Sequence, residues 1–279
     1  MFPIKDGIAH PTHIRIKLAS PDGSRLEEPI YGRCLLNHLT ILHGQSEQDL
    51  HFQTLCNRVQ MHRESIDLII LTPSTPPDPQ SLFIAHAETC PTFFHPTEER
   101  TSQRIRVATA AVIERDDGAM LLTRRTTAMK SFPKTWVVPG GHIELHETWK
   151  EALQREIQEE VGLKDLYDLK ILGLWESVYP PVWQESPPLR QHLVIYWTCK
   201  TSSQAIQPSK EEIEEYVWLT PAQAASLVGR NAISGQIEVV RVEDSSSHLL
   251  SLSDMRGSLK TRTGTTQGTR FALTQHSLQ

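Results

Sequence analysis

The chain lacks the marks of several large protein classes. It has four cysteines in 279 residues, Cys34, Cys56, Cys90 and Cys199, and no CxxC pair. That spacing speaks against a zinc site and against the disulfide framework of a small secreted protein, leaving reduced, buried thiols as the expectation. No run of about 18 apolar residues occurs, so neither a membrane-spanning helix nor a membrane partner is expected. The first residues, MFPIKDGIAHPTH, carry a proline and charges where a secretory signal would have an apolar core. The last three, Ser277-Leu278-Gln279, are not a peroxisomal SKL ending. An intracellular, cytoplasmic protein is expected, with a nuclear location left open. Positive charge is scarce as well: 28 Lys and Arg stand against 33 Asp and Glu, a net charge of -5. Such a surface has no global attraction for RNA or anionic lipid, so any nucleic-acid contact must be local. No internal repeat is visible.

Acidic residues, by contrast, are concentrated. Residues 141–163 read GHIELHETWKEALQREIQEEVGL. The stretch from Ala152 to Glu160 has no Gly or Pro and consists of good helix formers, flanked by His146-Glu147-Thr148 before and Gly162 after. This predicts a helix from about 147 to 161. At about 100° per residue, Glu156, Glu159 and Glu160 fall within roughly a 100° arc, at spacings i, i+3 and i+4. Like charges so crowded destabilise a helix unless a cation sits among them, and hard oxygen ligands favour Mg²⁺ or Mn²⁺. A divalent cation would bridge phosphate oxygens and lower the pKa of a bound water, which implies hydrolysis of a diphosphate linkage. Trp149, Leu153, Ile157 and Val161 repeat along the other face and are expected to pack on a sheet. Gly140-Gly141, stiffened by Pro139, reads as a tight loop whose exposed backbone could offer a carbonyl to metal or amides to phosphate.

The spacing fills every fixed place of the pattern GX5EX7REUXEEXGU: Gly141, Glu147, Arg155, Glu156, Glu159, Glu160 and Gly162, with Ile157 and Leu163 at the aliphatic places. Chance would produce this about once in 10^10 start positions at ordinary residue usage. The segment resembles the signature of the Nudix hydrolases, which cleave a nucleoside diphosphate linked to another moiety X. The resemblance implies an α/β/α sandwich with a mixed β-sheet, the signature forming a loop-helix-loop. It implies Glu159 and Glu160 as metal ligands, Glu156 as a ligand or as the base that activates water, and Glu147 with Arg155 as residues that orient the loop. A further acidic ligand from a later loop falls at Glu212, with Glu211, Glu214 and Glu215 as rivals. Outside the box, LLTRR at 121–125, WVVPGGHIE at 136–144, GLWESVYPP at 173–181, WLTP at 218–221 and GTRFAL near the C terminus resemble one branch, the nucleoside diphosphate-linked moiety X motif 17 proteins. That branch implies a substrate, the methylguanosine cap of mRNA. The competing substrates are small metabolite diphosphates: nucleotide sugars, dinucleoside polyphosphates, coenzyme A esters and prenyl diphosphates. A noncatalytic nucleotide-sensing module is the reading from a different class.

Along the chain, residues 1–101 read as a small N-terminal α/β extension. In it Ile14–Leu18 alternates, Cys34–Leu42 forms a short helix or buried segment, and Asp67–Leu71 and Leu82–Ala85 form strands. Thr72–Pro79 and His95–Arg100 read as loops. Residues 102–244 read as the catalytic domain. There Val107–Ile113 and Met120–Thr123 are expected to form a hairpin across Asp116-Asp117-Gly118. Strands follow at Leu169–Val178, His192–Cys199 and Tyr216–Leu219, then a helix at Pro221–Val228 with Thr220 as N-cap. Residues 245–279, rich in Ser, Thr and Gly, are expected to be a mobile tail apart from a short helix near Arg270–Gln275.

For the substrate, Arg124 and Arg125 are candidates for phosphate contact, since a guanidinium fork suits phosphate oxygens. Trp183 and Tyr179, with Trp175, are candidates for stacking on a base. Core packing is the competing role for Trp175. His142, His146 and His192 could act as auxiliary bases but read as structural. The partners implied are a nucleoside diphosphate-linked small molecule or a capped RNA 5′ end; oligomeric state is left open.

Overall fold

In the computed structural model, the described residues are 15–27, 34–36, 39, 58–65, 68–74, 78–86, 105–144, 146–179, 190–229, 234–257 and 263–279. The central strands are buried on both faces, which is why they read as nearly unbroken apolar runs. In β6 (Arg106–Arg115), Val107, Ala111 and Ile113 face one apolar cluster, while Ala110 and Val112 face another. The first cluster takes in Leu153, Ile157 and Val161 of α1 (Trp149–Val161). The second takes in Leu227 of α2 (Pro221–Val228), Met255 of α3 (Leu252–Arg256) and Leu273 of α4 (Gln267–Ser277). Helices thus cover both faces of a mixed sheet, the α/β/α sandwich expected.

The sheet runs β14 (Ser247–Ser251), β13 (Gln236–Arg241), β12 (Ile213–Leu219), β7 (Met120–Arg125), β6, β11 (Arg190–Thr201) and β10 (Leu166–Tyr179). It continues through β5 (Leu82–His86), β3 (Arg58–Ser65), β4 (Leu68–Pro73), β1 (Arg15–Ala19) and β2 (Leu26–Glu27). β5 pairs in parallel with β10, Gly173 opposite Phe83 through Glu176 opposite His86, so N-terminal strands extend the same sheet. The expected hairpin is present at its turn, but β6 and β7 pair only at Glu114 and Met120. Beyond that point they part. β9 (Gly140–His142) pairs along β6, and β8 (Thr135–Val137) pairs along β7. This opening lets the segment before α1 enter between the two strands.

Helix α1 begins at Trp149, two residues later than the spacing suggests, because Thr148 and Glu151 form a reciprocal capping box. Gly162 ends it in the left-handed conformation. Glu147 therefore belongs to the preceding loop. Leu35, Leu36 and Leu39 are helical and buried, in keeping with the segment expected at Cys34–Leu42. Thr72 and Pro73 belong to β4 instead of a loop, and His95–Arg100 lies outside the described residues. Cys34 and Cys199 are buried; the Cys34 thiol donates to Glu176 at 3.0 Å, and burial pushes the Cys199 thiol up to about 12; Cys56 and Cys90 lie outside the described residues.

The mobile tail expected from Ser245 onward is corrected. Its described residues include β14, α3, β15 (Gly264–Thr265) and α4, with Leu252, Met255, Ala272 and Leu273 buried. Composition misled here because few apolar residues suffice when a helix lies on a preformed apolar face. No helix among the described residues is long and apolar enough to cross a membrane.

Ile157 is fully buried between α1 and the sheet. Ile157→Ala is expected to lower unfolding free energy by about 2–5 kcal/mol, as cavity-forming core truncations do. The urea midpoint at unchanged slope measures it.

Candidate active site

The site grows from the junction of β9 and α1. Gly140 has φ +149, and a Cβ on it would lie 2.2 Å from the Thr109 carbonyl oxygen. A Cβ on Gly141 would lie 2.4 Å from the Glu156 carboxyl carbon. The two glycines therefore let the loop pass against β6 on one side and admit a carboxylate on the other. The Gly140 N–H donates to Glu160 Oε2 at 2.9 Å. Glu160 is 6% exposed; its carboxyl is pushed up to about 8, first by burial and further by Glu212 and Glu156, against the opposing pull of the Gly140 amide and Arg125. Burial also raises Glu156, with Glu159 and Glu212 adding repulsion and Arg155 opposing it.

Arg155 organises the other edge. Its Nε and one terminal nitrogen donate to the two Glu147 carboxylate oxygens at 2.6 and 3.0 Å, a fork-to-fork pair. The same guanidinium donates to Glu156 at 3.0 Å, to Glu159 at 3.1 Å and to the His142 carbonyl at 3.0 Å. The Arg155 hydrogen bonds hold Glu147 below its ordinary pKa, and Glu147 in turn holds Arg155 above its own.

The expected convergence of three helix carboxylates is only partial. Among the described residues, no three His, Cys, Asp or Glu side chains stand close enough together to hold a metal ion as placed. The reason is angular. Relative to Glu156, helical geometry sends Glu159 to one flank and Glu160 to the other. The Glu159 side chain is 60% exposed and leans on Arg155, whereas Glu160 points inward toward Gly140. Glu212, whose charge acts on both Glu156 and Glu160, comes from the loop before β12. Of its rivals, Glu214 pairs with Arg124 and Lys134, and Glu215 with Arg124 at 2.8 Å, while the Glu211 carbonyl accepts from the Thr126 hydroxyl.

This loop, helix and acidic cluster lie within residues 104–238, which match the NUDIX domain family. Residues 104–238 are a NUDIX domain. The chain is 37% identical over 153 residues to m7GpppN-mRNA hydrolase NUDT17 of Danio rerio, covering 52% of this chain and 50% of that protein. It is 36% identical over 136 residues to m7GpppN-mRNA hydrolase NUDT17 of Homo sapiens, covering 46% of this chain and 42% of that protein. The chain thus spans about half the length of the curated relatives it matches. Among solved structures, the MutT protein from Methanosarcina mazei Go1 is similar, with a TM-score of 0.37 and 22% identity over 45% of this chain and 83% of that one.

Within the NUDIX domain the substrate candidates separate. Arg125 acts electrostatically on Glu160, and its Nε donates to the Ser131 carbonyl at 3.1 Å. Arg124, its neighbour on β7, is committed to Glu214 and Glu215. Trp175 packs against Phe271 of α4, ring centroids 5.5 Å apart, which favours its core role. Tyr179 ends β10 opposite Arg190, and Trp183 lies outside the described residues. His142 and His192 meet edge to face at 5.1 Å beside the box, and His146 stands at φ 70 in the loop before α1. A buried carboxylate escaped the sequence reading: Glu176, fully buried, accepts from Gln191 at 2.6 Å and from the Leu35 amide at 2.9 Å. Its place two residues after the buried Leu174 on β10 was the available signal.

Because native Glu160 holds its proton more tightly than the ordinary 4.5, the native state binds more protons between about 4.5 and about 8. Stability supplied by that proton is present below 4.5 and is lost as pH rises toward 8. In a chelating buffer, melting temperatures of wild type minus Glu160→Gln are therefore expected to fall across this window. A flat difference would contradict the burial of the charge.

Proposed function

We propose that the chain is a metal-dependent pyrophosphohydrolase of the Nudix type. The observation that carries this reading is a buried carboxylate, Glu160, that repels Glu156 and Glu212 and takes its direct hydrogen bond from the Gly140 amide. An array of hard oxygens around a buried carboxyl that takes its hydrogen bond from a neutral amide fits Mg²⁺ or Mn²⁺. Glu160, Glu156 and Glu212 would hold the ion once their side chains draw together around it, with Glu159 joining when its side chain leaves Arg155, and the Gly140 carbonyl beside them. Bound there, a divalent cation supplies neutralisation of phosphate oxygens and a more acidic water.

The protein's own groups do the rest. Glu156, raised by burial, is suited to accept the proton that leaves water as its oxygen bonds to phosphorus and the bridging P–O bond breaks. Arg155 and Glu147 keep that carboxylate aimed at the Gly140-Gly141 loop. Arg125, whose charge acts on Glu160, would meet phosphate oxygens; Arg124, held by two glutamates, would serve the sheet instead. Trp183 and Tyr179 would stack on the base. The substrate we infer is the methylguanosine cap of mRNA. Relatives at 36–37% identity carry the name m7GpppN-mRNA hydrolase, and the matched stretches, 153 and 136 residues long, extend well outside the box. With a net charge of -5, recognition would centre on the cap nucleotide and its phosphates instead of a long RNA track.

Glu160→Gln and Glu156→Gln are each expected to lower kcat by roughly 10²–10⁴-fold while the fold persists. The assay is a panel of cap analogues, capped RNA, nucleotide sugars, dinucleoside polyphosphates, coenzyme A esters and prenyl diphosphates, with Mg²⁺ and with Mn²⁺. Wild-type activity in both variants would overturn the site. Turnover of another compound with cap analogues untouched would overturn the substrate. Tight nucleotide binding without turnover would establish a sensing module.

A further inference from the structure

The segment following the matched domain reaches back to the active-site loop. β15 pairs in parallel with β8, Gly264 opposite Thr135 and Thr265 opposite Trp136. The Thr266 amide then donates to the Trp136 carbonyl at 3.2 Å. Two residues further along the loop, the Val138 amide faces Thr269 Oγ1 at 3.4 Å. Thr269 is 1% exposed and also receives a hydrogen bond from the Thr266 hydroxyl at 2.9 Å. Val138 and Pro139 lead directly into Gly140, whose amide holds Glu160. The Pro139 carbonyl is meanwhile fixed by the Ala111 amide at 3.0 Å.

Helix α4 is itself pressed onto the sheet. A Cβ on Gly268 would lie 2.6 Å from the Tyr196 hydroxyl and 3.1 Å from the Trp175 ring, so glycine sets the approach. At the far end His276 Nδ1 shares a hydrogen bond with Thr198 Oγ1 at 3.0 Å, and its Nε2 lies 2.9 Å from Glu114 Oε2. Glu114 belongs to β6, the strand on which Gly140 and Gly141 are paired. One helix thus touches the strand that supports the loop and the residue that introduces it.

We propose that residues 263–279 are a positioning element of the active site, with Thr269 as the residue that sets the Val138–Gly141 loop and His276 as the outer anchor. Thr269 touches no reacting atom; it acts through the Val138 amide, and its effect on turnover rests on the reading of the site given above. A loop displaced by about 1 Å is enough to reduce turnover by up to 10²-fold.

The test compares full-length wild type with Thr269→Val, Thr269→Ser and His276→Ala, by amide hydrogen exchange of residues 136–141 and by kcat and KM. Thr269→Val is expected to speed exchange in that segment by about 10-fold or more and to lower kcat by about 10–100-fold with KM little moved, whereas Thr269→Ser restores both. His276→Ala is expected to shift the same segment less, and it decides the matter if Thr269→Val does not fold. Wild-type exchange of 136–141 in Thr269→Val and in His276→Ala would overturn the proposal. So would acceleration spread evenly over the domain with no rescue by serine. If the wild type cleaves no diphosphate, the hydrolase reading falls, and the exchange pattern still decides whether this segment sets the loop.

Discussion

Two carboxylates drawn out of water into the same pocket repel each other more strongly than on the surface, and a fold keeps them there only if the surrounding structure enforces it. Glu156 and Glu160 are in that situation. The enforcement is visible on every side: Leu153, Ile157 and Val161 anchor one face of the helix, the capping box and Gly162 fix its ends, and the absence of side chains on Gly140 and Gly141 gives the carboxylates their space. Local stability is surrendered at this point and recovered from apolar packing elsewhere, as is usual where a site must meet a charged ligand.

Arg155 gives the arrangement its asymmetry. By gripping Glu147 with a two-point fork and extending to Glu156 and Glu159, it neutralises the outer edge of the cluster and leaves the inner edge, at Glu160, to the Gly140 amide. Cationic compensation is thereby gathered at Glu147, Glu156 and Glu159 instead of being spread along the helix.

The box helix, its core face and the sandwich were legible in the sequence because each rests on short-range regularities: helical period, glycine punctuation and apolar strands. Glu212 could be nominated but not separated from Glu214 and Glu215, since pairing of the latter with Arg124 and Lys134 depends on strand register. The 60% exposure of Glu159 was concealed for a related reason, as an arc on a helix does not reveal which edge meets the protein. Glu176 was hidden by distance, its partner Leu35 lying 141 residues away. The region after Ser245 misled because its composition is polar, while its helices need only a few apolar contacts with a surface built by the rest of the chain.

The parallel pairing of β5 with β10 has a consequence for how the chain can be divided. Residues 173–176 already bond to β11 on one side, and β5 covers the other. Cutting the chain ahead of the matched domain would strip that cover and leave a row of amide and carbonyl groups open along one margin. Such a margin is a template for strand addition by another molecule. The excised fragment would therefore be prone to self-association, so the N-terminal strands act as a guard for the sheet whatever else they do.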